Sequence, residues 1–113
     1  MSNENYTGIW VYAEQEDGNL SETVFELLAK SHDLKAKLGG RDDVTAVVLG
    51  DDVERLADTL FAYGAEKVIA VENDNLKFYS ARPYARALTD ICNKYRPSIF
   101  LFPASPLGRD LAP

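Results

Sequence analysis

The residue types that most often carry chemistry are scarce in this sequence. Its 113 residues include one cysteine, Cys92, and one histidine, His32. A lone cysteine excludes an internal disulfide, and one of each excludes the usual Cys/His zinc centre. Basic charge is also in deficit: 12 Lys and Arg stand against 18 Asp and Glu, a net charge of −6. That is the wrong sign for a protein that holds a phosphate backbone by releasing counterions, so nucleic acid is not an expected partner. Long apolar runs are missing as well. Stretches such as residues 44–49 and 99–102 fall far short of the roughly 20 residues of a bilayer-spanning helix, and no membrane span is expected. The opening Met1-Ser2-Asn3-Glu4-Asn5 has neither the positive cluster nor the following apolar run of a secretory signal, which makes the expected compartment cytoplasmic.

What is present is ordinary globular composition, with 46% hydrophobic, 11% aromatic and 27% charged residues. That describes one domain with one core. Four short runs rich in β-branched and aromatic residues read as strands: residues 8–13, 44–49, 67–71 and 98–102. Between them lie helical patterns. The first runs from Leu20 with Val24, Leu27, Leu28, Leu34 and Leu38 on one face, a break near Ser31, an Asn19/Glu22 capping box and Gly39-Gly40 as the stop. The second spans about residues 53–63, places Leu56, Ala57, Leu60 and Phe61 on one face, and ends at Gly64. The third begins around Ser80, carries Tyr84, Ala85, Leu88, Ile91, Cys92 and Tyr95 on its buried stripe, and ends before Pro97. Strict alternation of strand and helix predicts an α/β fold: an open, mainly parallel sheet with helices on both faces, truncated after the fourth strand.

In such sheets ligands sit beyond the carboxyl ends of the strands, where the winding direction reverses. With strand order 3-2-1-4, the loop of residues 14–19 and the loop of residues 103–110 lie side by side at that crevice. The first carries Glu14, Glu16 and Asp17, which repel phosphate, and it lacks both glycine-rich phosphate-binding patterns. The second carries Ser105, Gly108 and Arg109 near an expected helix start, where a phosphate or carboxylate can be received. The same residue types also fit a turn at Gly108, a helix cap at Asp110 and an ion pair from Arg109 to the acidic loop. Ser105 lies outside any G-x-S-x-G elbow, and His32 has no evident carboxylate partner, so hydrolase chemistry has little support and no catalytic residue is assigned. Cys92 reads as a packed thiol and Trp10 and Tyr12 as core. Asp42-Asp43 and Asp51-Asp52 read as turns and caps rather than metal ligands, and Arg82 with Arg86 as a solvated helix face.

Three segments together carry a resemblance: Gly8-Ile9-Trp10-Val11-Tyr12-Ala13-Glu14, Gly64-Ala65-Glu66-Lys67-Val68, and above all Ser105-Pro106-Leu107-Gly108-Arg109-Asp110-Leu111-Ala112-Pro113. From Gly8 onward the chain resembles the N-terminal domain of the electron transfer flavoprotein alpha subunit. The resemblance implies an adenine nucleotide alpha hydrolase-like fold and a heterodimer with a beta subunit. It implies an electron carrier working between flavin dehydrogenases, such as acyl-CoA dehydrogenase, and an acceptor. The implied cofactor is FAD, bound mainly by a C-terminal domain absent from residues 1–113, with no cofactor-binding residue of that site placed here. This domain would then serve subunit packing and docking, with Ser105, Gly108, Arg109 and Asp110 as an anion or interface loop. The alternative is a stand-alone small nucleotide-binding α/β protein.

Overall fold

The computed structural model describes residues 6–104. Strand β1, Ile9–Tyr12, is followed by a hairpin of β2, Gln15–Glu16, and β3, Asn19–Leu20. Helix α1, Glu22–Lys37, leads to β4, Val44–Gly50. A single 3-10 turn at Glu54–Leu56 runs into α2, Ala57–Ala62, and then β5, Lys67–Glu72. A second 3-10 turn, Asp74–Leu76, precedes α3, Ala81–Tyr95, and β6, Ile99–Leu101, closes the described chain.

The four long strands form one sheet in the order β5-β4-β1-β6, every pair parallel. This is the expected 3-2-1-4 order, so the α/β reading holds. Side chains alternate between two cores, as the pleat requires. Val11, Val44, Ala46 and Val48 face Val24 and Leu28 of α1 and Leu60 of α2. On the opposite face Trp10, Tyr12, Val47 and Leu49 meet Tyr84 and Leu88 of α3. The aromatic side is ordered by ring contacts: Trp10 lies edge-on to Phe100 at 5.4 Å, and Tyr12 stacks on Phe102 at 5.5 Å.

Several local expectations need correction. The Asn19/Glu22 capping box does not form, because the hairpin takes Asn19 and Leu20 into β3 and moves the N-cap to Ser21. The Ser21 side chain makes no cap bond; its hydroxyl meets that of Thr23 at 3.0 Å. Helix α1 is not broken at Ser31. That hydroxyl is fully buried and donates to the Leu28 carbonyl at 2.6 Å, satisfied within its own helix. The second helix starts later than expected, since Val53 is buried ahead of the 3-10 turn, and Phe61 faces outward. On α3, Ala87 packs in the core where Ala85 was expected, and Tyr95 lies half in solvent beside Trp10. Gly39 and Gly40 do stop α1, both at positive φ, with the Gly40 N–H donating to the Lys35 carbonyl at 2.9 Å. Helix α3 ends instead on Arg96 in the left-handed region.

Glu66, just ahead of the edge strand β5, joins α1 to the start of the inner strand β4. Its carboxylate accepts from Lys35 Nζ at 2.8 and 2.9 Å and from the Val44 N–H at 2.9 Å, while its own N–H donates to the Val44 carbonyl at 2.8 Å. Lys35 and the Val44 amide hold its carboxyl below the ordinary value. A depressed native pKa contributes stability above the unfolded pKa, and that contribution is lost as pH falls through the native one. Glu66→Ala is expected to cost about 1 kcal/mol at neutral pH. The gap between its urea midpoint and that of the unsubstituted protein should close on acidification. Leu60→Ala, which empties a fully buried site under β4 and β5, is expected to cost about 2–5 kcal/mol by the same measurement.

Candidate functional site

At the carboxyl end of β1 the chain does not run directly into a helix. Asp17 and Gly18, at φ 53° and 81°, make a two-residue turn of the kind that matches strand twist, and pair Gln15 with Leu20 and Glu16 with Asn19. The Asp-Gly pair was the available sequence signal for this hairpin, hidden by the polar composition around it. Gln15 then anchors it. Its Oε1 accepts from the Gly18 N–H at 2.8 Å, and its Nε2 donates to the Leu49 carbonyl of β4 at 3.0 Å. Gly50 makes this approach possible: a Cβ there would lie 2.4 Å from Val53 Cγ1 and 2.9 Å from Gln15 Nε2.

The hairpin forms one wall of a cleft of about 850 Å³. Lys77, Phe78 and Tyr79 make the other wall, with Tyr12 and Tyr84 at its base. The Tyr84 hydroxyl donates to the Leu76 carbonyl at 2.6 Å and its ring meets Tyr79 edge-on at 5.0 Å, so the loop before α3 is held against the helix. Burial raises the pKa of both Tyr12 and Tyr84, with the nearby Asp51 charge adding to the effect at Tyr84. Both phenols stay neutral, Tyr12 as a packing group stacked on Phe102 and Tyr84 as a hydrogen-bond donor.

This arrangement does not fit a phosphate. Glu14, Glu16 and Asp17 line the cleft, and Glu22 already occupies the first turn of α1, where an anion would otherwise meet the helix dipole. No glycine-rich turn gathers backbone N–H groups there. The other expected components, Ser105, Gly108, Arg109 and Asp110, lie outside the described residues. His32 is not isolated: its Nε2 bonds the Gly64 carbonyl and ties α1 to the turn before β5. Burial pushes the Cys92 thiol up, away from nucleophile character. Asp43 pairs with Lys67 at 3.0 Å and Asp52 with Arg55 at 3.3 Å. No group of three or more metal-ligating side chains gathers among the described residues, and no helix there is long and apolar enough to cross a membrane.

The topology and the two packed faces define an open parallel α/β domain whose carboxyl-edge crevice is walled by an acidic hairpin in place of a phosphate-binding turn. Comparison with known proteins narrows that class. Residues 9–113 match the model of the electron transfer flavoprotein domain, and the chain belongs to that family. It is 40% identical over 113 residues to the electron transfer flavoprotein subunit alpha of Clostridium acetobutylicum, covering 100% of this chain and 33% of that protein. Acryloyl-CoA reductase electron transfer subunit beta of Anaerotignum propionicum is 38% identical over 109 residues, 96% of this chain and 29% of that protein. Lactate dehydrogenase (NAD(+),ferredoxin) subunit LctC of Acetobacterium woodii is 37% identical over 108 residues, 96% of this chain and 25% of that protein. The chain spans a third or less of the length of these relatives.

Gly50→Ala is expected to destabilise the protein by about 1–3 kcal/mol, because the added methyl displaces Val53 or breaks the Gln15 anchor. Thermal unfolding checks the cost, and amide exchange at Gly18 shows whether the hairpin has loosened.

Proposed function

We propose that this chain is the N-terminal α/β domain of an electron transfer flavoprotein alpha subunit. In this reading the complete protein is an FAD-dependent carrier moving electrons between flavin dehydrogenases and an acceptor. A C-terminal domain outside residues 1–113 holds most of the FAD contacts, and the present domain packs against a beta subunit and serves docking. The observation that carries the reading is alignment of the whole chain, at 40% identity, with one third of an electron transfer flavoprotein subunit alpha. The acidic hairpin supports it from the chemistry, since a domain that packs and docks has no need of a phosphate cradle. The names of the acryloyl-CoA reductase and lactate dehydrogenase relatives suggest CoA-thioester or hydroxy-acid dehydrogenases as partner classes. We assign Ser105, Gly108, Arg109 and Asp110 to an anion or interface loop. Strand β6 runs parallel to β1, so the chain leaves Phe102 toward the same edge of the sheet as the hairpin. The compartment proposed is the cytoplasm.

The competing reading, a stand-alone nucleotide-binding protein, requires a phosphate site at a crevice lined by three carboxylates. The test is gentle purification of the natural polypeptide carrying this segment, with absorption spectroscopy and intact mass, alongside titration of residues 1–113 with ATP, AMP and FAD. A yellow chain about three times longer, accompanied by a second subunit, is the expected outcome, with no nucleotide bound by the isolated segment. Micromolar ATP or AMP binding by the segment, abolished by Arg109→Ala, overturns the carrier reading in favour of the nucleotide-binding one.

A further inference from the structure

Packing among the described residues does not account for Phe78, on the wall of the cleft opposite the hairpin. Phe78 is 73% exposed, more than any other large apolar side chain among the described residues. A phenyl ring left in water forgoes the stabilisation that burial supplies. It stands on a loop held in place by the Tyr84 hydroxyl and Tyr79 ring contacts, so its position is built rather than incidental. Across the cleft, Glu16 and Asp17 make no ion pair with any described residue, whereas Asp52 close by is taken up by Arg55. Among the described lining residues Lys77 is the sole cation against three carboxylates, and its Nζ already sits 5.6 Å from the centre of the Phe78 ring.

These features select for one kind of occupant. An anion meets like charge, and a purely apolar group leaves Glu16 and Asp17 without an ion-pair partner among the described residues. A guanidinium satisfies both walls, because its edge forms paired hydrogen bonds to a carboxylate while its flat face stacks on an aromatic ring. The cleft of about 850 Å³ has room for the side chain and its neighbours. We propose that this cleft docks an arginine-bearing segment of a partner protein, the guanidinium seated between Glu16 and Asp17 on the hairpin and Phe78 on the facing loop. The proposal rests on the docking role given to the domain above and names the surface and the chemistry it recognises.

The test uses the 113-residue chain and two fluorescein-labelled peptides of equal length, one alternating glycine with arginine and one alternating glycine with glutamate, followed by anisotropy. The arginine peptide is expected to bind and the glutamate peptide to fail. Binding should weaken about tenfold in Glu16→Lys combined with Asp17→Asn, the latter keeping a residue that tolerates the left-handed turn. Phe78→Ala should weaken it several-fold, and Asp42→Asn at the opposite end of the sheet should leave it unchanged. No binding of the arginine peptide, equal binding of both peptides, or affinity indifferent to the hairpin and Phe78 variants overturns the proposal. Binding seen only after Arg109→Ala also overturns it, since the cleft then belongs to the chain's own arginine. No flavin is read in this experiment, so its failure leaves the electron-carrier reading standing, and that reading fails separately on the spectrum of the complete protein.

Discussion

Strand β4 buries all seven of its residues, Val44–Gly50, with β1 hydrogen-bonded along one edge and β5 along the other. A strand with no exposed face must have cover above and below it, and that requirement places the helices. Helices α1 and α2 close one side through Val24, Leu28 and Leu60; α3 and the turn before it close the other through Leu76, Tyr84 and Leu88. The polar ties reinforce this arrangement: Glu66 clamps the start of β4 to α1 through Lys35, and Gln15 fastens the hairpin to the carbonyl of Leu49 near its end.

The two ends of the sheet therefore acquire different chemistry. At the amino end, charges are largely consumed in pairs, Lys35 with Glu66 and Lys67 with Asp43. At the carboxyl end the hairpin projects Glu16 and Asp17 beside an exposed phenyl ring. In an open α/β domain this is the edge where a ligand would be sought, and here it carries carboxylates where a phosphate-binding turn would otherwise lie.

Much of the fold was legible from periodicity. The near-continuous apolar run at residues 44–49, short and rich in valine, read as a strand covered on both faces, and Gly39, Gly40 and Gly64 marked the ends of their helices. The errors fell where a distant contact outweighed a local preference. Asn19 looks like a helix cap because Glu22 follows it at the right spacing, but strand pairing through the Asp17-Gly18 turn claimed it first. Ser31 looks like a helix breaker, yet its hydroxyl is satisfied by the Leu28 carbonyl inside the helix. Phe61 fits the apolar face of a regular helix, yet the sheet is met by Leu60 next to it, one helical step round, and Phe61 is left half exposed.

The acidic character of the loop after β1 could be read directly, since charge is a property of composition. Its form as an anchored wall could not, because that depends on Gln15 reaching a carbonyl 34 residues away and on Gly50 leaving room for it. The exposure of Phe78 was equally hidden: Leu76, Phe78 and Tyr79 form a stretch too short for any periodicity to reveal which of them faces outward. Element type and order follow from short-range hydrophobic spacing, which the chain carries in every window of a dozen residues. The site arises from side chains far apart in sequence that meet only once the sheet has paired, and no local pattern encodes those meetings.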